Sequence, residues 1–208
     1  MGKTDLTIFT IGHSNHAPET FVALLNQHQI ELVADVRSSP YSRYASHFNK
    51  DAIHRSLQEQ GIEYLFLGDV LGGEPQGAEL YDADGRVLYD KLAQSPKFQK
   101  GISRILDTIK SHRVAVLCGE EDPTNCHRRL LVGCVLREKG ADIVHIRGDG
   151  RLESEDEVSQ AEEFRKNRGQ QSLFDMEEIE GWKSTRSVSP RKAQPNSSRH
   201  SSEPESNE

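Results

Sequence analysis

The sequence predicts an α/β fold: a mostly parallel five-stranded sheet with helices on both faces, plus a disordered C-terminal tail. Three observations carry that expectation. Short β-branched runs alternate with longer stretches of helical apolar spacing up to Ile146, and such alternation implies parallel strands joined by helical crossovers. Residues of reactive type follow the strands, as expected where the carboxyl ends of a parallel sheet share one edge. Beyond Trp182 the chain turns to Ser, Arg, Pro, Asn and Glu, a composition that buries too little apolar surface to offset its ordering entropy.

The elements follow in order. Leu6 to Ile11 is the first strand, Pro18 to His28 a helix with Phe21, Leu24 and Leu25 on one face, and Leu32 to Val36 the second strand. After a loop from Arg37 to Phe48, a helix from about Asn49 to Gln60 is closed by Gly61, and Ile62 to Leu67 is the third strand. Gly68 to Gln94 reads as a long Gly-rich excursion. Ser95 and Pro96 then open a helix as N-cap and first-turn proline, with Phe98, Ile102, Ile105, Leu106 and Ile109 on one side. The fourth strand is Val114 to Cys118, a helix opens at Cys126 and stops at Gly140, and Ile143 to Ile146 is the fifth strand. Residues 1–150 thus form a single α/β domain. Residues 151–208 are expected to be a flexible acidic and then Ser/Arg-rich tail.

Composition narrows the function. A net charge of −7 over 208 residues argues against a protein that coats DNA by charge alone, so any nucleic-acid contact has to be local or assisted. Three cysteines without a secretory pattern fit free thiols in a reducing compartment. No run of about 18 or more apolar residues occurs. A cytoplasmic protein with no membrane partner is expected.

The densest chemistry lies after the fourth strand, where Cys118, Glu120, Cys126, His127 and Arg128 gather around an acidic, turn-forming loop. A helix N-terminus beside arginines lowers a thiol's pKa, which makes Cys126 a candidate nucleophile or redox thiolate. The loop of sulfurtransferases and phosphatases, a cysteine followed after five residues by arginine, is absent: that position is Thr124 from Cys118 and Val132 from Cys126. Thiolates and imidazole are also good zinc ligands, but the spacing matches no standard structural site and a fourth ligand would have to come from His13 or another strand end, so no metal is assigned and the cofactor is left unknown. Structurally, Cys118 and Cys134 could be small buried hydrophobes, with His127 and Arg128 bracing the loop.

Asp35 and Arg37 either pair with each other or supply a general base and an anion clamp at the same rim. His13 and Ser14 follow Gly12 at the first strand's end, where a ligand's backbone contacts are easy. The loop after Arg37 interleaves Tyr41, Arg43, Tyr44, His47 and Phe48, a pattern suited to stacking bases beside a cation. Gly72 and Gly73 by themselves signal only a turn.

Thr10-Ile-Gly-His-Ser14, Asp35-Val-Arg-Ser-Ser-Pro40, Leu71-Gly-Gly73, Cys118 with Glu120, Asp122-Pro123, Cys126-His-Arg128, His145-Ile146 and Asp149-Gly150 occur here in that order. Together they resemble the domain-of-unknown-function 488 family across roughly residues 6 to 150. The resemblance implies an α/β fold and a set of signature residues but brings no established reaction. Glycine at Gly119 replaces the family's alanine.

In the tail, Gln170-Gln-Ser-Leu-Phe174 resembles the short peptide by which bacterial replication and repair proteins dock on the DNA sliding clamp. Gln170, Ser172, Leu173 and Phe174 fit its usual form and Gln171 does not. Apolar anchors in an otherwise polar stretch have no core to join, although Leu173, Met176, Ile179 and Trp182 also approach helical spacing. A tethered clamp peptide would supply the DNA localisation that the net charge cannot.

The leading expectation is an enzyme acting on DNA or a nucleotide-like phosphorylated substrate in replication or repair. Cys118, Glu120, Cys126, His127 and Asp35 are its candidate catalytic residues. His13, Ser14, Arg37, Arg128, Tyr41 and Arg43 are the candidate substrate contacts, and the bacterial sliding clamp is the partner. The alternatives are a non-catalytic nucleic-acid or nucleotide-binding adaptor recruited to the clamp, and a metal or redox sensor.

Overall fold

Strands buried on both faces fix the middle of the molecule. In a computed structural model that describes residues 6–169 and 181–188, β1 (Thr7–Gly12), β2 (Leu32–Asp35), β3 (Glu63–Phe66) and β5 (Val114–Cys118) are parallel and pair side by side with β6 (Asp142–Ile146). The order across the sheet is β3-β2-β5-β1-β6, with β7 (Leu152–Ser154) at the edge beside β6. Odd and even positions face opposite layers. Ile8, Leu32, Ala34, Val114, Val116 and Ile143 join one core, and Phe9, Ile11, Val33, Ala115, Leu117 and Ile146 join the other.

Each layer is closed by helices that bring their own apolar stripe. Phe21, Leu24 and Leu25 of α1 (Pro18–Gln27) and Ile53 and Leu57 of α2 (Lys50–Gln58) cover one face. Phe98, Ile102 and Ile105 of α5 (Pro96–Thr108) and Val135 and Leu136 of α6 (Cys134–Glu138) cover the other. The expected cap of α5 is present, with Ser95 Oγ accepting from the Phe98 amide and Pro96 in the first turn. The Gly-rich excursion contains α3 (Gly68–Leu71), β4 (Arg86–Leu88) and α4 (Tyr89–Gln94).

Among the described residues the main sheet has six strands, not five. β7 (Leu152–Ser154) adds antiparallel to β6, and α7 (Glu155–Gly169) follows it, so residues 151–169, expected to begin a flexible tail, extend the α/β unit. Polar anchoring explains why periodicity did not show them. Among the side chains of α7 that the structure describes, the buried ones are Glu155 and Val158. Glu155 accepts from Arg129 Nε at 2.9 Å and from His145 Nε2 at 3.0 Å. Lys183–Ser187, expected within the disordered tail, forms β8 against β4. It is pinned by Trp182 Nε1 donating to the Leu130 carbonyl and by Ser184 Oγ accepting from the Val87 amide. The clamp-like segment 170–174 lies outside the described residues. Among the described residues no helix is long and apolar enough to cross a membrane.

Topology places a crevice at one edge. β1 and β5 are neighbours, yet the helix after β1 packs on one face and the helical segment after β5 on the other. Neighbouring strands whose chains leave to opposite faces form the switch point at which open α/β sheets bind ligands.

Burial opposes the Glu155 charge, but hydrogen bonds from His145 and Arg129 outweigh it and hold its pKa at about 2. The folded state therefore binds this proton more weakly than the unfolded chain does. Its stabilising contribution is complete above the ordinary carboxyl value of 4.5 and is lost as pH falls toward about 2. Urea unfolding should show Glu155→Ala destabilised by about 3 kcal/mol at pH 7, the scale of breaking a buried ion pair. The difference between variant and parent should shrink below pH 4.

Candidate active site at the switch point

Three strand ends build the crevice wall. The turns after β1 and β5 run side by side, with the His13 amide donating to Cys118 O at 3.0 Å and the Ser14 amide to Gly119 O at 2.9 Å. This closeness requires Gly12, since a Cβ there would run into the Glu120 carbonyl. Gly73 likewise lets the turn after α3 rest on the His127 imidazole, where an added Cβ would lie 2.8 Å from the ring. A cleft of about 280 Å³ opens here, lined by His13, Arg37, Tyr41, Cys118, Glu120 and His127, with Thr185 and Arg186 of β8 also in its wall.

The floor is a thiol cluster. Cys118 ends β5, and the turn Pro123–Asn125, capped by Asp122 accepting from the Thr124 amide, returns the chain so that Cys126 lies behind it. Both thiols donate to Glu120 Oε2, at 3.3 Å from Cys118 Sγ and 3.1 Å from Cys126 Sγ. His127 Nε2 donates to the Val36 carbonyl at 3.0 Å, which leaves Nδ1 facing Cys118 Sγ at 3.5 Å. The two sulfurs and the imidazole of His127 offer donor atoms all within 4.8 Å of one another, the set among the described residues that could hold a metal ion. The Cys126 thiol is held below the ordinary value because the Cys118 hydrogen bond, His127 and Arg128 outweigh burial. The Cys118 thiol is pushed up by its hydrogen bond with Cys126 and by burial.

Arg128 and Arg129 are both buried and leave from a π-helical segment, Arg128–Gly133. Such wide turns are uncommon and recur near functional sites. Arg128 is fully buried: Nε donates to Thr10 Oγ1 at 3.2 Å, Nη1 to the Glu120 carbonyl, and Nη2 to the Glu121 carbonyl at 2.7 Å. Its fork is consumed by the backbone of the site and it does not line the cleft, so it braces the floor where a substrate contact was expected. From Thr10 the network continues to His145 Nδ1 at 2.7 Å and through Nε2 to Glu155.

Asp35 and Arg37 are the internal pair that the sequence left open. Arg37 Nε and Nη2 grip both Asp35 oxygens, at 2.9 and 2.6 Å, and Nη1 donates to the Phe48 carbonyl. Asp35 also accepts from Tyr64 OH at 2.7 Å and is fully buried away from the cleft. It has neither the access nor the spare lone pair of a general base. Its removal would strand a buried guanidinium, so thermal or urea melts of Asp35→Ala should show a loss of about 3–5 kcal/mol.

Of the other expected contacts, His13 and Tyr41 line the cleft, whereas Ser14 and Arg43 do not. Tyr41 and Tyr44 are 61% and 99% exposed beside exposed Arg43. His13 stacks on Phe48 at 4.4 Å and directs Nδ1 to the Ser14 carbonyl, 2.8 Å away. Burial, with Arg37 nearby, lowers its pKa to about 4, so it is a neutral imidazole at neutral pH. Thr185, Arg186 and Tyr89 escaped sequence reasoning. The first two sit in a polar strand, and nothing in the pattern around Tyr89 points to a site.

Fold and centre together define an α/β protein with a thiol, imidazole and carboxylate cluster at its switch point. The family model described as "Domain of unknown function DUF488" matches residues 17–135, more than half of the chain, and the chain belongs to that family. No curated protein and no solved structure matches it. The matched span includes Asp35 through Cys134, while Thr10 and His145, which complete the buried network, lie outside it.

Gly12→Ala should displace the Glu120 turn and open the cluster. Thiol-labelling rates at Cys118 and Cys126 are expected to rise at least tenfold (on the order of 1.4 kcal/mol of lost protection), while Cys134 labels as in the parent.

Proposed function

We propose that this chain is an enzyme acting on DNA or a nucleotide-like phosphorylated substrate in replication or repair. The observation that carries the reading is the convergence of Cys118, Glu120 and His127 on one cleft at the switch point. Two thiols, an imidazole and a carboxylate in mutual contact are more than folding needs, and such clusters mark reactive sites.

The substrate assignment rests on the cleft's surroundings. Tyr41 and Tyr44 offer stacking faces beside Arg43, and exposed Arg186 also lines the cleft. These cations take the phosphate role first considered for Arg37 and Arg128, whose guanidiniums are committed internally. Glu120, exposed at the rim and within reach of both thiols, is the group to carry protons during reaction, with His127 Nδ1 beside the Cys118 thiol. The Gln170 to Phe174 peptide would bring the domain to DNA by docking on the bacterial sliding clamp, raising the local substrate concentration through its tether.

The test combines binding with turnover. Fluorescence anisotropy with a single-stranded oligonucleotide should show affinity falling by about 5- to 100-fold in Tyr41→Ala and Tyr44→Ala, the worth of one stacked base. Arg43→Ala and Arg186→Ala should weaken binding and flatten its salt dependence. Turnover of damaged oligonucleotides or nucleotides, followed by mass spectrometry, should vanish in Glu120→Gln with binding retained. Equal affinity in all four binding variants, or turnover unchanged in Glu120→Gln, would overturn the proposal.

A further inference from the structure

We propose that Cys118, Cys126 and His127 are the three protein ligands of a zinc ion whose fourth position faces the cleft beside Glu120. This does not depend on the enzymatic reading, because the donor set is defined by geometry alone.

Zinc favours thiolate and imidazole ligands in a tetrahedron, with Zn–S near 2.3 Å and Zn–N near 2.0–2.1 Å. Two such bonds at the tetrahedral angle place sulfur and nitrogen about 3.5 Å apart. Cys118 Sγ and His127 Nδ1 are separated by 3.5 Å, and Cys126 Sγ completes a donor triangle within 4.8 Å. The histidine is also prepared as a ligand would be. Its Nε2–H is fixed on the Val36 carbonyl, 3.0 Å away, which leaves the Nδ1 lone pair directed at the sulfurs. Metal-bound histidines characteristically hold their other nitrogen on a carbonyl or carboxylate in this way.

The ligand backbones are anchored independently. The Cys118 carbonyl accepts from the His13 amide, the Cys126 amide is fixed on the Pro123 carbonyl, and Arg128 ties down the carbonyls of Glu120 and Glu121. Cys118 and Cys126 are 4% and 1% exposed, so the set is shielded everywhere except at the cleft. The cleft reaches Cys118, Glu120 and His127 but not Cys126. A closed structural site would use four protein ligands, whereas three ligands and one position open to a cleft belong to sites that bind water or substrate. The Glu120 carboxylate next to that position would accept a proton from metal-bound water, whose acidity the ion raises.

The cysteine spacing hides this arrangement. Cys118 and His127 lie nine residues apart and are joined by a capped turn instead of the short knuckle of common zinc motifs. Cys134, the third cysteine, lies outside the triangle.

The test uses the full chain, reduced, stripped of metal and titrated with cobalt(II), then with zinc in competition. Cobalt should bind stoichiometrically, with the visible bands of a tetrahedral ion and a near-ultraviolet thiolate-to-cobalt band, and zinc should bleach both. Cys118→Ser and Cys126→Ser should each weaken binding at least about 100-fold, beyond the upper end of what losing a ligand's outer partner costs. Cys134→Ser and Glu120→Gln should keep the tetrahedral bands. A wild-type chain that gives no tetrahedral cobalt spectrum overturns the site whatever the variants do. Loss of the bands in Glu120→Gln overturns the three-ligand assignment, and binding that survives in the Cys118→Ser/Cys126→Ser double variant overturns the ligands. None of these readouts requires turnover, so failure of the enzymatic proposal leaves them interpretable.

Discussion

One buried guanidinium organises the site. Arg128 is among the largest fully buried side chains of the protein, and its hydrogen bonds reach β1 through Thr10 and the turn after β5 through two carbonyls. A buried charge is tolerated only when its donors are matched, and here the match is to the Thr10 hydroxyl and two backbone carbonyls. The two carbonyls belong to Glu120 and Glu121, so the same interaction sets where the Glu120 side chain leaves the chain. Gly12 completes the constraint from below by letting that turn settle onto β1.

From Arg128 the polar core extends outward. Thr10, His145 and Glu155 pass it to α7, and Arg129, next in sequence, meets Glu155 at 2.9 Å and Glu162 at 2.8 Å. Consecutive arginines can both turn inward because the π-helical segment changes the angular step between them. The thiol cluster is thus built upon a polar layer that also fastens α7 to the sheet. Stability and site geometry share residues, so substitutions in this layer will report on both.

Much of the fold was legible in the sequence because apolar burial created it. The five parallel strands, α1, α2 and the Ser95 cap of α5 follow from alternation, stripes and caps. What was illegible is held by polar contacts. β7 is three residues with an exposed Leu152, α7 rests on Glu155, and β8 is Lys-Ser-Thr-Arg-Ser. The site was legible as a list of residues and much less so as roles. Cys118, Glu120, Cys126 and His127 do meet, but an arginine that binds phosphate and one that binds backbone carbonyls look alike in a sequence, as Arg128 shows. Asp35 and Arg37, two residues apart on a strand end, satisfy each other for the same reason.

The central claim is that the Arg128 fork holds the Glu120 turn and, with it, the thiol floor. Arg128→Lys tests it directly, since a lysine keeps the charge but cannot span Thr10 and two carbonyls in a fixed plane. Amide hydrogen exchange of this variant should show residues 119–126 losing protection while β2 and β3 exchange as in the parent. Unchanged protection across residues 119–126 in a folded Arg128→Lys protein would contradict the account.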